Sequence, residues 1–421
     1  MRSSLFTSCG LLALASAAVV QPTPVRKSYD GYKVFRLTVG DEVGKVSSII
    51  ERLGLSTWKG KPKAGGHSDI VVPPSQIQAF ETAVKGMTVA TMHEDLGASI
   101  AQESTFHTYA AGSANATWFE SYHSYEDHLQ YLNDLQGQFP DQAEIVTAGE
   151  SLNGNAITGI HFWGSQGKGK PAVVFHGTVH AREWISSMTV EYFAHSLLNG
   201  GDDAEIKGFL DTYDFFFFPV VNPDGFLYTQ SDDRMWRKNR QTSSGSNCLG
   251  HDINRNWPYK WDVSGGASTN PCAEDFKGES EGDAPETQAL SKWIQGIKDG
   301  QGVKLFIDWH SYSQLFMTPY GFSCTETAPN NDELQSLAEG AVAAIQEVNG
   351  VEFTPGPICQ TIYKATGSSV DYVNDVTGAD YVFTVELRDT GAYGFVLPAD
   401  QIVPSGEEAF AGVRYLLKNM K

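Results

Sequence analysis

Cysteine is sparse in this chain, and no Cys-x-x-Cys spacing occurs anywhere in it. A thiolate-rich zinc site is thereby disfavoured. His-Glu-x-x-His is also missing, which disfavours a zinc endopeptidase. No apolar run reaches the roughly 20 residues that a membrane-crossing helix needs. Basic residues are scarce: 30 Lys and Arg stand against 50 Asp and Glu, for a formal charge of -20. That balance speaks against nucleic acid and anionic membranes as partners, and says little about fold. One local gap is sharper still. No Lys or Arg occurs between Lys85 and Lys168.

What remains is ample for a folded enzyme. At 421 residues and 41% hydrophobic content the chain has room for two or three domains and a sizeable core. Residues 1–17 combine Arg2, a short apolar stretch at Leu11-Leu12-Ala13-Leu14 and a small-residue end, Ala15-Ser16-Ala17. This is the pattern of a secretory signal peptide, so a secreted, extracellular protein is expected. Cys9 leaves with that segment. Cys248, Cys272, Cys324 and Cys359 remain, an even number suited to an oxidising compartment. Three pairings are open, and the shorter loops favour Cys248–Cys272 with Cys324–Cys359.

Residues 18–112 read as a small α+β domain. Tyr32 to Val39 alternates as a strand, and Asp41 to Leu53 has helical spacing. Asp69 to Pro74 is a strand ended by prolines. Ser75 is expected to cap a helix through Phe80 and Val84, and Met87 to Met92 is strand-like. Ala98 to Ala116 is polar and aperiodic, and the domain boundary falls there. Asn115-Ala-Thr117 is a glycosylation sequon, which suits an exposed junction. Residues 113–421 alternate strands with helices. They predict an α/β fold with a mixed, mostly parallel sheet flanked by helices. Ligands in such folds sit beyond the carboxyl ends of the strands.

Polar groups collect at those ends. Pro171 to Gly177 reads as a buried strand and loop, and His180-Ala-Arg-Glu183 follows just before a helix expected from Trp184. Residues three apart on a turn face one way, so His180 and Glu183 point at a common metal. His310 follows another buried strand, Val303 to Trp309, and is the candidate third ligand. Two imidazoles and a carboxylate suit a catalytic zinc with one open position. Asp252 is either a buried acceptor for a ligand imidazole or a turn residue. Arg182, Arg237 and Arg255 form a candidate cluster in an otherwise acidic protein, and guanidinium forks bind carboxylates and oxyanions. Glu386 is a carboxylate in an apolar strand, either paired with Arg388 or free to act as a base.

These stretches together resemble the zinc metallocarboxypeptidases of the A-type, pancreatic-like branch with an inhibitory pro-segment. The resemblance rests on His180-Ala-Arg-Glu-Trp, Asn222-Pro-Asp-Gly, Arg234-Met-Trp-Arg-Lys, Asp252-Ile-Asn-Arg-Asn-Trp, His310-Ser-Tyr-Ser-Gln, Thr361-Ile-Tyr363 and Phe383 to Phe395. The order is the family's, across residues 118–421. It implies one Zn²⁺ on His180, Glu183 and His310. It implies Glu386 as base and then proton donor, and Arg237 at the oxyanion. Asn254 and Arg255 would hold the terminal carboxylate, with Tyr363 closing over the bound residue. Arg182, Ser311 and Tyr312 would line the subsites toward the amino side. Both preferred cysteine pairs fit it. Peptide and protein C-termini are the expected substrates, and a monomer is expected.

Counting forward from Tyr363, Val370 falls at the base of the pocket for the terminal side chain, where B-type relatives carry Asp. With Met317, Ile358, Ile362 and Ala365 it predicts an apolar pocket for aromatic and large aliphatic residues. Asp371 lies one position away, so the register decides between A-type and B-type. Ser368 stands where A-type relatives usually have glycine. A catalytically silent binding protein on this fold would lack Glu386 or a ligand, and both are present. The basic-residue gap spans the expected junction, so an activating protease not specific for Lys or Arg is expected.

Overall fold

The computed structural model describes residues 26–60 and 62–421. The expected signal segment, 1–17, lies outside the described residues. The first domain is a four-stranded antiparallel sheet. Its strands are β1 (Lys33–Thr38), β2 (Ser56–Thr57), β3 (His67–Val72) and β4 (Val89–His93), in the order β2-β3-β1-β4. The period of two along β1 divides its side chains. Phe35 and Leu37 join Ile70, Val46, Ile49 and Phe80 in the domain's own core beneath helices Val43–Leu53 and Ile77–Ala83. Val34 turns the other way and packs with Val71, Trp58 and Leu96 against Tyr312, Phe395 and Val396 of the larger domain.

The larger domain holds an eight-stranded sheet. Its strands are β5 (Ala143–Glu150), β6 (Ala156–Phe162), β7 (Ala172–Gly177), β8 (Asp214–Phe218), β9 (Val303–Ser311), β10 (Leu315–Thr318), β11 (Thr354–Pro357) and β12 (Tyr381–Leu387). They run in the order β11-β10-β12-β9-β7-β8-β6-β5. Four neighbouring pairs are parallel and three antiparallel, the latter toward the two edges. The fold is thus mixed and mostly parallel, as expected. β7 and β8 are buried on both faces, which explains their nearly unbroken apolar runs. Val173, Phe175, Phe215 and Phe217 face one helical layer, and Val174, Phe216 and Phe218 face the other. Among the described residues no helix is long and apolar enough to cross a membrane.

Two local expectations are corrected. The segment read as aperiodic from Ala98 contains a helix, Leu96–Glu103, capped by Asp95, whose side chain accepts from the Ala98 N–H. Its buried positions are Leu96, Ile100 and Glu103, and the charge at the third masked the apolar spacing. Ser75 caps nothing: it lies in a 3-10 turn, Pro74–Gln76, and the helix from Ile77 has no side-chain cap. Asn222-Pro-Asp-Gly opens a helix, Pro223–Ser231, with Asn222 as its cap and Pro at the first position.

The start of the larger domain is firmly seated. The Trp118 indole donates to Glu191 Oε2 at 2.8 Å and lies stacked between His123 and Tyr131, at centroid distances of 3.6 and 4.3 Å. Both expected disulfides are present, Cys248–Cys272 and Cys324–Cys359.

Candidate active site

The site lies where β7, β8, β9 and β12 end. The β7 chain leaves the sheet at Gly177, where a Cβ would meet the Pro219 carbonyl at 2.8 Å. It turns through His180, and helix Trp184–Asn199 begins directly after Glu183. His310 stands near the end of β9. His180 Nδ1 is 2.8 Å from Glu183 Oε1, His310 Nδ1 is 3.0 Å from Glu183 Oε2, and the two Nδ1 atoms are 3.1 Å apart. All three side chains are buried, and each offers one atom to a common point. Burial opposes the Glu183 charge, but His180 and His310 outweigh it and hold the carboxyl well below its usual range.

The set fits a zinc ion: two imidazole nitrogens and one carboxylate oxygen converge, with no sulfur. Asp252 fills both of the roles open to it. Its Oδ1 lies 3.3 Å from His180 Nε2 and accepts the Asn254 N–H that starts the turn Ile253–Arg255. Its Oδ2 accepts from Arg237 Nη2 at 2.8 Å. Burial opposes its charge too, yet Arg237 and His180 keep Asp252 ionised far into acid. Arg237 Nη1 stands 4.0 Å from Glu183.

Glu386 sits opposite His310 in the β12–β9 register. The ion pair with Arg388 does not form, because Arg388 binds Glu408 and Gln401 instead. Burial, reinforced by the Glu183 charge, pushes the Glu386 carboxyl up to about 8 in the metal-free protein. Arg255 donates Nη1 to the Asn254 carbonyl, its buried Nε has no partner among the described residues, and its guanidinium lies 5.7 Å from the Tyr363 ring. An unmatched buried guanidinium N–H is a ready carboxylate site.

Val370 is 1% exposed and packs in one apolar cluster with Met317 and Ile358, with Ile362 at its edge. Ala365 is buried but stands outside that cluster, donating its N–H to the Gly321 carbonyl. Asp371 accepts the N–H groups of Gly321 and Phe322 at 3.0 and 2.9 Å, away from the Val370 cluster. Ser368 caps the short helix Ser369–Tyr372.

The small domain covers this region. Arg182 donates to the Trp58 carbonyl and to Glu274. The Tyr312 hydroxyl donates to Asp69, itself paired with Arg36, and Lys59 Nζ stands 4.4 Å above the Tyr312 ring. The Ser311 N–H points at Glu183 Oε2 at 3.3 Å. Glu103 forms a two-pronged pair with Arg234, both at 2.7 Å and both buried. Sequence reasoning missed Trp58, Lys59, Asp69 and Glu103, because nothing local distinguishes them from ordinary surface residues. It also missed Asp308, although a lone carboxylate in an apolar strand was the signal used for Glu386.

Two imidazoles and a carboxylate converging as a candidate metal site, with Arg237 close by, are the donor set of a metallohydrolase, and a second, smaller domain packs over them. The chain belongs to the zinc carboxypeptidase family, which it matches over residues 128–412, and it carries a carboxypeptidase activation peptide over residues 36–103. A metallocarboxypeptidase A-like protein of Trichophyton verrucosum is 52% identical over 404 residues, 94% of each chain. Metallocarboxypeptidase A of Trichophyton tonsurans is 50% identical, covering 99% of both chains. Among solved structures, thrombin activatable fibrinolysis inhibitor superposes with a TM-score of 0.86 at 28% identity, over 92% of this chain and 98% of that one.

Proposed function

We propose that the chain is the secreted precursor of an A-type carboxypeptidase that removes aromatic and large aliphatic residues from peptide C-termini. The observation that carries this reading is the convergence of His180, Glu183 and His310 with Arg237, Arg255 and Glu386, beside an apolar cluster containing Val370. A zinc ion held by the first three supplies Lewis-acid polarisation and lowers the pKa of its water.

The chain's own groups do the rest. Arg255 and Asn254 bind the terminal carboxylate and so select a chain end. Tyr363 closes over the bound residue, and Val370, Met317 and Ile358 receive its side chain. Arg237 Nη1 donates to the scissile carbonyl as charge develops on its oxygen. Glu386 takes a proton from the attacking water and delivers it to the leaving amine. Arg182, Ser311 and Tyr312 line the path of the preceding residues. The precursor is read as a monomer with its junction near residue 112. Ala110, Ala111 and Gly112 are exposed there, and the lack of nearby Lys and Arg calls for an activating protease of other specificity. Asn115 is exposed as a glycan acceptor would be.

The deciding assay uses the activated protein on blocked dipeptides ending in Phe, Leu, Lys, Arg or Glu, with and without a zinc chelator. Chelator-sensitive release of Phe and Leu is expected. Preference for Lys or Arg would place a charge in the pocket and refute the Val370 assignment. No release from any, by zinc-loaded protein freed of its activation segment, would point to a binding protein.

A further inference from the structure

Asp308 lies two residues before His310 in β9 and is completely buried in a largely apolar strand. Residues two apart on a strand share a face, so the carboxylate and the imidazole project together. Asp308 Oδ2 stands 3.2 Å from His310 Nε2 and accepts the Ser369 hydroxyl. A buried carboxylate is expensive unless its charge is used. We propose that Asp308 is a positioning residue for the metal-bearing His310: it holds the ring proton on Nε2 and so leaves Nδ1 as the lone-pair donor. This rests on the zinc reading above.

The neighbours of Nε2 decide its proton. Among the described residues two groups approach it, Asp308 Oδ2 and Asn254 Nδ2, each at 3.2 Å. The Asn254 amide is oriented by Ser369, whose N–H donates to Asn254 Oδ1 at 2.9 Å. Nδ2 is therefore the end facing His310, and it can only donate. An ionised Asp308 can only accept. If Asn254 donated to Nε2, the ring proton would sit on Nδ1, the nitrogen that faces Glu183 and His180. Nδ1 would then be closed to a metal. Once Nδ1 is committed to a metal, Nε2 must carry the proton, and Asp308 is the acceptor in reach. The Asn254 amide loses its partner at that moment and becomes free for a substrate carboxylate. Ser369 ties the network together, with its hydroxyl on Asp308 and its N–H on Asn254. Metal loading and carboxylate binding thus share one set of hydrogen bonds. Second-sphere carboxylates of this kind typically change metal affinity 10–100-fold.

The test compares zinc affinity, by competition with a chelator, for full-length wild type, Asp308→Ala and Asp308→Asn. Zinc is expected to bind the alanine variant about 10–100-fold more weakly. The asparagine variant, which keeps an acceptor oxygen without the charge, is expected to fall between. ¹⁵N-histidine NMR of zinc-loaded wild type needs no variant to fold, and is expected to show His310 metallated at Nδ1 and protonated at Nε2. Wild-type zinc affinity in folded Asp308→Ala, or metallation at Nε2, would overturn the inference. A wild-type protein that binds no zinc would instead defeat the proposed function, and this inference with it.

Discussion

At the scale of single residues, Glu386 is the most exposed to test. It is a carboxylate that forms no ion pair among the described residues and is placed across from His310. Glu386→Gln keeps its size and is expected to lower kcat by about 10²–10⁴, with zinc content and thermal stability unchanged. Matching losses of zinc and activity would reassign it to a structural role. Asp252 gives a pH prediction. Its folded pKa lies below the unfolded value of about 3.9, so its stabilising contribution is present above that value and is lost as pH falls through the folded pKa. In the zinc-free protein the gap in Tm between wild type and Asp252→Asn is expected to narrow below about pH 4. A gap that stays constant down to pH 3 would mean the ion pair adds no linkage. Residues such as His180, Glu183 and His310 were legible because metal chemistry demands particular donors at particular strand ends. Asp308 was not singled out, since its meaning comes from His310 and Ser369, and the latter is 61 positions away.

At the scale of elements, sequence reading worked where apolar spacing was strict and failed where charge replaced an apolar contact. β9 and the helix after Glu183 begin where expected, because the strand is a short, nearly unbroken apolar run and the helix follows directly on the turn after another buried strand. Helix Leu96–Glu103 escaped because one of its buried positions is Glu103, which is satisfied by Arg234 of the other domain. That pair is an energetic hinge of the precursor. Glu103→Ala leaves Arg234 buried without its carboxylate, a change that costs about 3–5 kcal/mol. The uncleaved variant is therefore expected to hydrolyse a Phe-ended peptide measurably faster than the uncleaved wild type. Equal rates would show that the Trp58–Lys59 loop and the Asp69–Tyr312 contact suffice to keep the site covered.

At the scale of the whole molecule, charge and chain connectivity set how the precursor matures. Trypsin has an exposed target at Lys85, inside the small domain, but none from there to Lys168. Treatment of the precursor with trypsin is expected to yield no new amino terminus near residue 112. A single clean product starting there would refute the expected protease specificity.

The seat of Trp118 bears on what happens after the cut. Its indole is gripped by Glu191 and by two rings from the larger domain, only a few residues beyond the exposed Ala110–Gly112 stretch. A break there leaves a stub of a few residues in front of an anchor whose Glu191, His123 and Tyr131 contacts all stay with the body, and the departing piece takes away only the edge contact of the Tyr109 ring. Severing the chain frees the lid while the body keeps its own fastening, so the loss of one domain need not unravel the edge of the other.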